Sequence, residues 1–207
     1  MNRSVVRSMH TSGQGIGMGK IVVTEFVSLD MVMEAPGGEP GYAHTGWVFP
    51  YQEGDQMKFK LDETLAADVL LLGRRTYESF AGAWPEREDD QGFADKMNEM
   101  PKYVVTSSSE PLEWNNSTAL EGPIEESVPK LKEQIDGEIL VAGSRTLVHA
   151  LLLAGLVDEL RLMVFPVILG SGGKVFPESE DKIVLELVED RRYNSGVQVL
   201  TYHPAVK

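Results

Sequence analysis

Three short apolar runs in this chain each end at glycine or hydroxyl residues and hand over at once to a polar turn or a helix-forming segment. They are Val69-Leu-Leu-Leu-Gly-Arg-Arg-Thr-Tyr-Glu78, Tyr103-Val-Val-Thr-Ser-Ser-Ser109 and Glu138-Ile-Leu-Val-Ala-Gly-Ser-Arg-Thr146. Apolar runs without polar alternation read as strands covered on both faces, and strands that alternate with helices imply a mainly parallel sheet. The expected class is therefore α/β. Three strand ends that supply glycine, hydroxyls and arginine suit a nucleotide lying across the carboxyl edge of such a sheet.

Gly73 ends the first run where a helix begins, and Arg74, Arg75 and Thr76 follow it. Backbone N–H groups and the positive helix end favour an anion there, and guanidinium forks match phosphate oxygens. The alternative is that both arginines pair with some of the 32 acidic side chains. With a formal net charge of −13, any basic patch is local, and nucleic acid is not an expected partner. The chain has no cysteine and four scattered histidines, which excludes thiolate chemistry and gives no metal-ligand spacing. No apolar run approaches the ~20 residues that cross a bilayer, and the expected location is the cytoplasm. Gly170-Ser-Gly-Gly173 lacks the following lysine–hydroxyl pair of a phosphate loop, so a kinase is not expected.

At 207 residues the chain fits one domain. Residues 1–17 hold Arg3 and Arg7 and no acid; they read as a disordered extension, with a profile shared by transit peptides, ahead of a domain over 18–207. Ile21 to Val27 reads as a first strand and Ser28 to Pro50 as a long loop of the kind that forms lids and binding loops. Gln52 to Ala67 reads helical, with Met57, Leu61 and Leu65 on one face. Short helices over Thr76–Ala83 and Phe93–Met100, and a longer one from Pro123 to Gly137, separate strands at Ala67–Leu72, Tyr103–Thr106, Ser117–Leu120 and Ile139–Ala142. Leu147, Val148, Leu151 and Leu152 stripe a further helix. A long strand over Val157–Ile168, bent at Pro166, precedes a hairpin of Ile183–Asp190 and Gly196–Tyr202. These C-terminal strands should be antiparallel at one edge, and an exposed apolar edge implies a homodimer.

Gly73-Arg-Arg-Thr-Tyr-Glu78 resembles the cofactor-binding segment of dihydrofolate reductases. Val141-Ala-Gly-Ser-Arg-Thr-Leu147, with Ala150 to Leu160, is still more similar to the reductase domain of bacterial riboflavin-biosynthesis deaminase-reductases. Ser28-Leu-Asp30 and Pro166-Val-Ile-Leu-Gly-Ser-Gly-Gly173 resemble it too, so the likeness covers roughly residues 20 to 203. The resemblance implies a three-layer dihydrofolate-reductase-like fold: a mostly parallel central sheet, antiparallel C-terminal strands and helices on both faces. It also implies an NADPH-dependent reductase that delivers hydride to a C=N-type bond of a heterocycle.

Within that resemblance, Gly143 and Ser144 let backbone amides approach the cofactor pyrophosphate, with Arg145, Thr146 and Leu147 following in the helix. Gly143 can equally make a tight turn and Ser144 cap the helix. Dihydrofolate reductases typically carry paired glycines here, and Ser144 departs from that. Thr106, Ser107 and Ser108 suit a ribose 2′-phosphate, or form an ordinary polar turn. No acid follows this strand directly, which favours NADPH over NADH. Asp30 and Asp55 are the candidate proton-relay residues, against readings as a turn aspartate and a helix-start acid. Trp47 and Phe49 can stack on a planar substrate or cover the core. The riboflavin-type uracil is the favoured substrate. Pterin reduction, reduction of an unknown small molecule and a non-catalytic NADPH-binding module are the alternatives.

Overall fold

The computed structural model describes residues 17–51 and 54–205; the expected extension falls almost wholly outside them, as does the expected helix start at Gln52. Eight strands form one sheet: β1 (Lys20–Ser28), β2 (Val69–Gly73), β3 (Lys102–Val105), β4 (Ser117–Leu120), β5 (Glu138–Val141), β6 (Glu159–Phe165), β7 (Leu185–Arg192) and β8 (Gln198–Pro204). Their order is β4-β3-β2-β5-β1-β6-β8-β7. The first six are parallel, and β8 runs antiparallel to both β6 and β7. Among the described residues, five α-helices flank it: α1 (Asp55–Ala66), α2 (Arg74–Ala83), α3 (Phe93–Glu99), α4 (Ile124–Gln134) and α5 (Arg145–Leu153).

Strand periodicity sorts the core into two layers. Ile21, Val23 and Val27 of β1 face α4 and α5, packing with Val128, Leu131, Leu147 and Leu151. Val22 joins Leu70, Leu72 and Val104 under Tyr77 of α2 and Met97 of α3. Each fully buried leucine in these layers contributes about 1.5–3 kcal/mol relative to an exposed one. Lys102 anchors the α3–β3 corner. It is 0% exposed, and its Nζ donates to the carbonyls of Asn98, Met100 and Asn115 at 2.9, 2.8 and 3.0 Å. Burial pulls it down to about 8. Three carbonyls match the three ammonium donors and hold it charged at neutral pH.

Three expectations are corrected. The buried face of α1 is Gln56, Glu63 and Thr64, whereas Leu65 points to solvent. Partners on other elements meet this polar face: Thr24 Oγ1 donates to Glu63 at 2.9 Å, Arg161 approaches Glu63 at 3.4 Å, and Ser195 donates to Gln56 Oε1, while Gln56 Nε2 has no partner among the described residues. β6 stops at Phe165, because Pro166 has no N–H for the ladder. Both β6 and β8 lie inside the sheet, and the C-terminal edge is β7, whose Leu187 and Val188 are 49% and 46% exposed.

Candidate functional site

Parallel pairing of β2 with β5 brings the ends of two sequence-distant strands together. Gly73 N donates to Gly143 O at 3.3 Å. Ser144 Oγ accepts from Thr76 N at 3.1 Å and lies 3.0 Å from Thr76 Oγ1. Both glycines are required by close approach. A Cβ on Gly73 would lie 2.6 Å from Ser144 Oγ, and one on Gly143, where φ is 91°, would lie 2.7 Å from Thr76 Oγ1. The Gly143–Ser144 peptide is cis, with serine in the second position. Ser144 is the N-cap residue of α5, yet its side chain turns to Thr76 and caps no α5 amide.

This joint is the floor of a cleft of about 1260 Å³ across the carboxyl ends of the parallel strands. Gly73, Arg74, Arg75 and Thr76 line it from β2–α2, and Thr106, Ser107 and Ser108 from the turn after β3. Gly143, Ser144, Arg145, Thr146 and Leu147 line it from β5–α5, so the three motifs converge. Their chemistry is uneven. Arg74 is held by Glu78 at 2.6 Å and by Glu110 at 3.1 Å. Arg75 is exposed, with no carboxylate in ion-pair reach among the described residues. Ser108 N bonds Thr106 Oγ1 at 3.0 Å, which folds the polar turn over the strand end. Arg145 and Thr146 are exposed, and Leu147 anchors α5 in the core.

A clasp closes one side. Val32 bridges Lys174 antiparallel, Met33 N bonds Gly173 O at 2.9 Å, and Gly173 N bonds the Glu34 carboxylate at 2.7 Å. Gly46 N then bonds Ala35 O at 2.9 Å, which closes the neck of the 36–45 span. Phe49 lines the cleft and is 54% exposed. Trp47 does not line it: its ring packs edge-on to Phe165 at 5.4 Å and its Nε1 donates to Glu34 O at 2.8 Å, so it props the loop from behind.

Neither candidate aspartate lines the cleft. Asp30 accepts from Ser28 Oγ at 2.7 Å and from the N–H groups of Leu169 and Gly170 at 3.1 and 2.9 Å. These bonds, Ser28 first, hold it down at about 2, where it stays ionised and ties the glycine turn to β1. Asp55 is exposed at the first turn of α1, where a carboxylate favours the helix.

Sequence reasoning missed Glu25, which lines the cleft from β1. It is 8% exposed, and its Oε1 has no hydrogen-bond partner among the described residues. Burial pushes it up to about 8 against the pull of Lys60 and the Gly143 backbone. The available signal was the one acid of β1, in a strand whose residues are mostly apolar and where an unpaired charge is costly.

A mostly parallel sheet with an antiparallel C-terminal end, helices on both faces and a cleft over the strand ends together define a dihydrofolate-reductase-like α/β protein. The chain belongs to the RibD C-terminal domain family, which matches residues 19–199. It is 30% identical over 139 residues to the uncharacterised protein YyaP of Bacillus subtilis, covering 66% of this chain and 73% of that one. A putative riboflavin biosynthesis protein from Shewanella sp. PV-4 superposes with TM-score 0.68 at 18% identity, over 90% of this chain and 99% of the other. Dihydrofolate reductase from Enterococcus faecalis, complexed with NADP(H), gives TM-score 0.58 at 16% identity, over 91% and 98%. A Thermotoga maritima diaminohydroxyphosphoribosylaminopyrimidine deaminase/5-amino-6-(5-phosphoribosylamino)uracil reductase gives TM-score 0.62 at 15% identity, over 91% of this chain and 57% of that one.

Proposed function

We propose that this protein is an NADPH-dependent reductase that adds hydride to a C=N-type bond of a nitrogen heterocycle, acting as a homodimer in the cytoplasm. The observation that carries the reading is the Gly73–Thr76–Gly143–Ser144 joint in the floor of the cleft. Two glycines that cannot bear a Cβ, beside two helix starts, present backbone to a pyrophosphate. In this reading Gly73, Gly143, Ser144, Arg145 and Thr146 hold the pyrophosphate end, while Arg75, Thr106, Ser107 and Ser108 bind the 2′-phosphate. When bound, NADPH supplies hydride to the acceptor carbon. The chain's own part is to orient the acceptor beside Phe49 and hold it against the cofactor.

Among substrates, 5-amino-6-(5-phosphoribosylamino)uracil is favoured, because the family and the uracil reductase in its fold group support it. Dihydrofolate is second, supported by the fold shared with the Enterococcus faecalis enzyme. The test follows NADPH oxidation with each compound, alongside NADPH binding by calorimetry. Turnover of either compound upholds the reductase reading. Binding without turnover of any heterocycle would make the protein a cofactor-binding module, and no NADPH binding would sink the reading.

A further inference from the structure

We propose that Glu25 is the proton donor of this cleft: its buried carboxyl group, with one oxygen unpartnered, protonates the nitrogen of a C=N acceptor whose carbon is reduced. The proposal deepens the reductase reading above and rests on it.

Glu25 sits on β1, between β5 and β6 at the centre of the sheet, and faces the cleft beside Gly143. Buried polar atoms are nearly always paired, so an orphan carboxyl oxygen on a cleft wall marks a place that a ligand completes. The charged groups facing it come from α1: Lys60 favours the carboxylate and Glu63 opposes it. Lys60 is already committed, because its ammonium pairs with Glu63 and donates to Thr24 Oγ1 at 3.0 Å. Arg161 of β6 is spent on Glu138, Glu159 and Glu63. The register partner of Glu25 on β6 is Leu162, which is apolar, and the turn after β5 contributes the Gly143 backbone. Desolvation therefore outweighs attraction, and the group keeps its proton at neutral pH, as a general acid must.

A protonated carboxyl presents an O–H donor and a carbonyl acceptor side by side. That edge matches a C=N nitrogen next to an N–H group, which suits substrates built on amidine-like heterocycles such as pyrimidines and pterins. In the reaction the acceptor carbon takes hydride, the C=N π pair withdraws to nitrogen, and the Glu25 O–H bond breaks as the N–H bond forms. The hydride would carry both electrons, so with the Glu25 proton the acceptor would gain two hydrogens. The Glu25 carboxylate, steadied by Lys60, recovers its proton from water.

The test compares the full chain with Glu25→Gln, using 5-amino-6-(5-phosphoribosylamino)uracil and dihydrofolate as probes at saturating NADPH. The substitution should lower kcat by about 100-fold or more and remove the wild-type decline of kcat as pH rises through about 8. NADPH affinity should stay within twofold. A second readout needs no turnover: the infrared band of a protonated carboxyl should be present below pH 7, fade through about pH 8 and be missing from Glu25→Gln. A variant that keeps kcat within threefold and the same pH profile overturns the proposal, as does a Glu25 already ionised below pH 7. If the wild type reduces neither probe, that result counts against the reductase reading, and the infrared titration alone decides for or against Glu25.

Discussion

Gly73→Ala is the sharpest probe of the strand-end joint. Gly73 has φ −77° and ψ 154°, a region open to any residue, so alanine meets no backbone penalty there. The whole effect is contact. The added Cβ would sit 2.6 Å from Ser144 Oγ, 2.9 Å from Ser144 Cβ and 3.2 Å from Ser144 N. Ordinary carbon contacts need about 3.5–4.0 Å, so β2 and the β5–α5 turn must part by roughly 1 Å. Overpacking of this kind costs about 1–3 kcal/mol, and each kcal/mol lowers Tm by about 2–4 °C in a chain of this size. A Tm drop of about 2–12 °C is expected, together with at least a tenfold loss of NADPH affinity, since misplacement by about 1 Å is costly at such a site. Adding Ser144→Gly removes two of the three crowded atoms, so the double variant should regain Tm toward that of Ser144→Gly alone. Coupling of about 0.5–3 kcal/mol is the range for residues in contact. Thermal melts and NADPH fluorescence titration measure both effects. A single variant with unchanged Tm and affinity within twofold would refute the steric account.

Arg75→Ala should weaken NADPH about tenfold or more and leave NADH nearly unaffected, because a charged hydrogen bond contributes about 1.5–3 kcal/mol; equal losses for both cofactors in calorimetry would remove Arg75 from the 2′-phosphate. Asp30 has a folded pKa of about 2 against 3.8 for the free group, so its stabilisation is complete above about 4 and is lost as pH falls toward 2. Asp30→Asn should flatten that acid limb in urea unfolding and keep turnover within threefold, and a collapse of turnover would restore Asp30 to the chemistry. Val188→Glu should halve the mass seen by light scattering if β7 joins two copies; a wild type already monomeric at micromolar concentration defeats the dimer.

The β2 and β5 motifs were legible because doubly covered strands are apolar throughout and glycine marks where backbones must touch. Their convergence on one cleft follows from the α/β pattern itself. What escaped reading depends on partners remote in the chain. Asp30 looked free in its own segment, but two of the N–H groups that donate to it lie 139 and 140 residues away. The Met57–Leu61–Leu65 spacing suggested an apolar face for α1, yet the buried face is polar because Thr24, Arg161 and Ser195 meet it from elsewhere. Glu25 was hidden inside a strand whose neighbours otherwise read as core. Of the two readings for Trp47, the core-covering one holds, and an aromatic beside a loop does not reveal in sequence which side of the loop it supports.

The Ala35–Gly46 hydrogen bond has an evolutionary consequence. It shuts the neck of the 36–45 span, and the Val32–Lys174 bridge fastens the base of the loop to the glycine turn. Residues beyond that neck can lengthen, shorten or change composition at little entropic cost, while the strand ends keep their spacing. Pro36 to Pro40 nevertheless line the cleft. One end of the cleft is thus free to diversify while the other stays fixed, so descendants of a single ancestor can reshape one wall without disturbing the strand-end joint. For an engineer, the same span is a replaceable cassette.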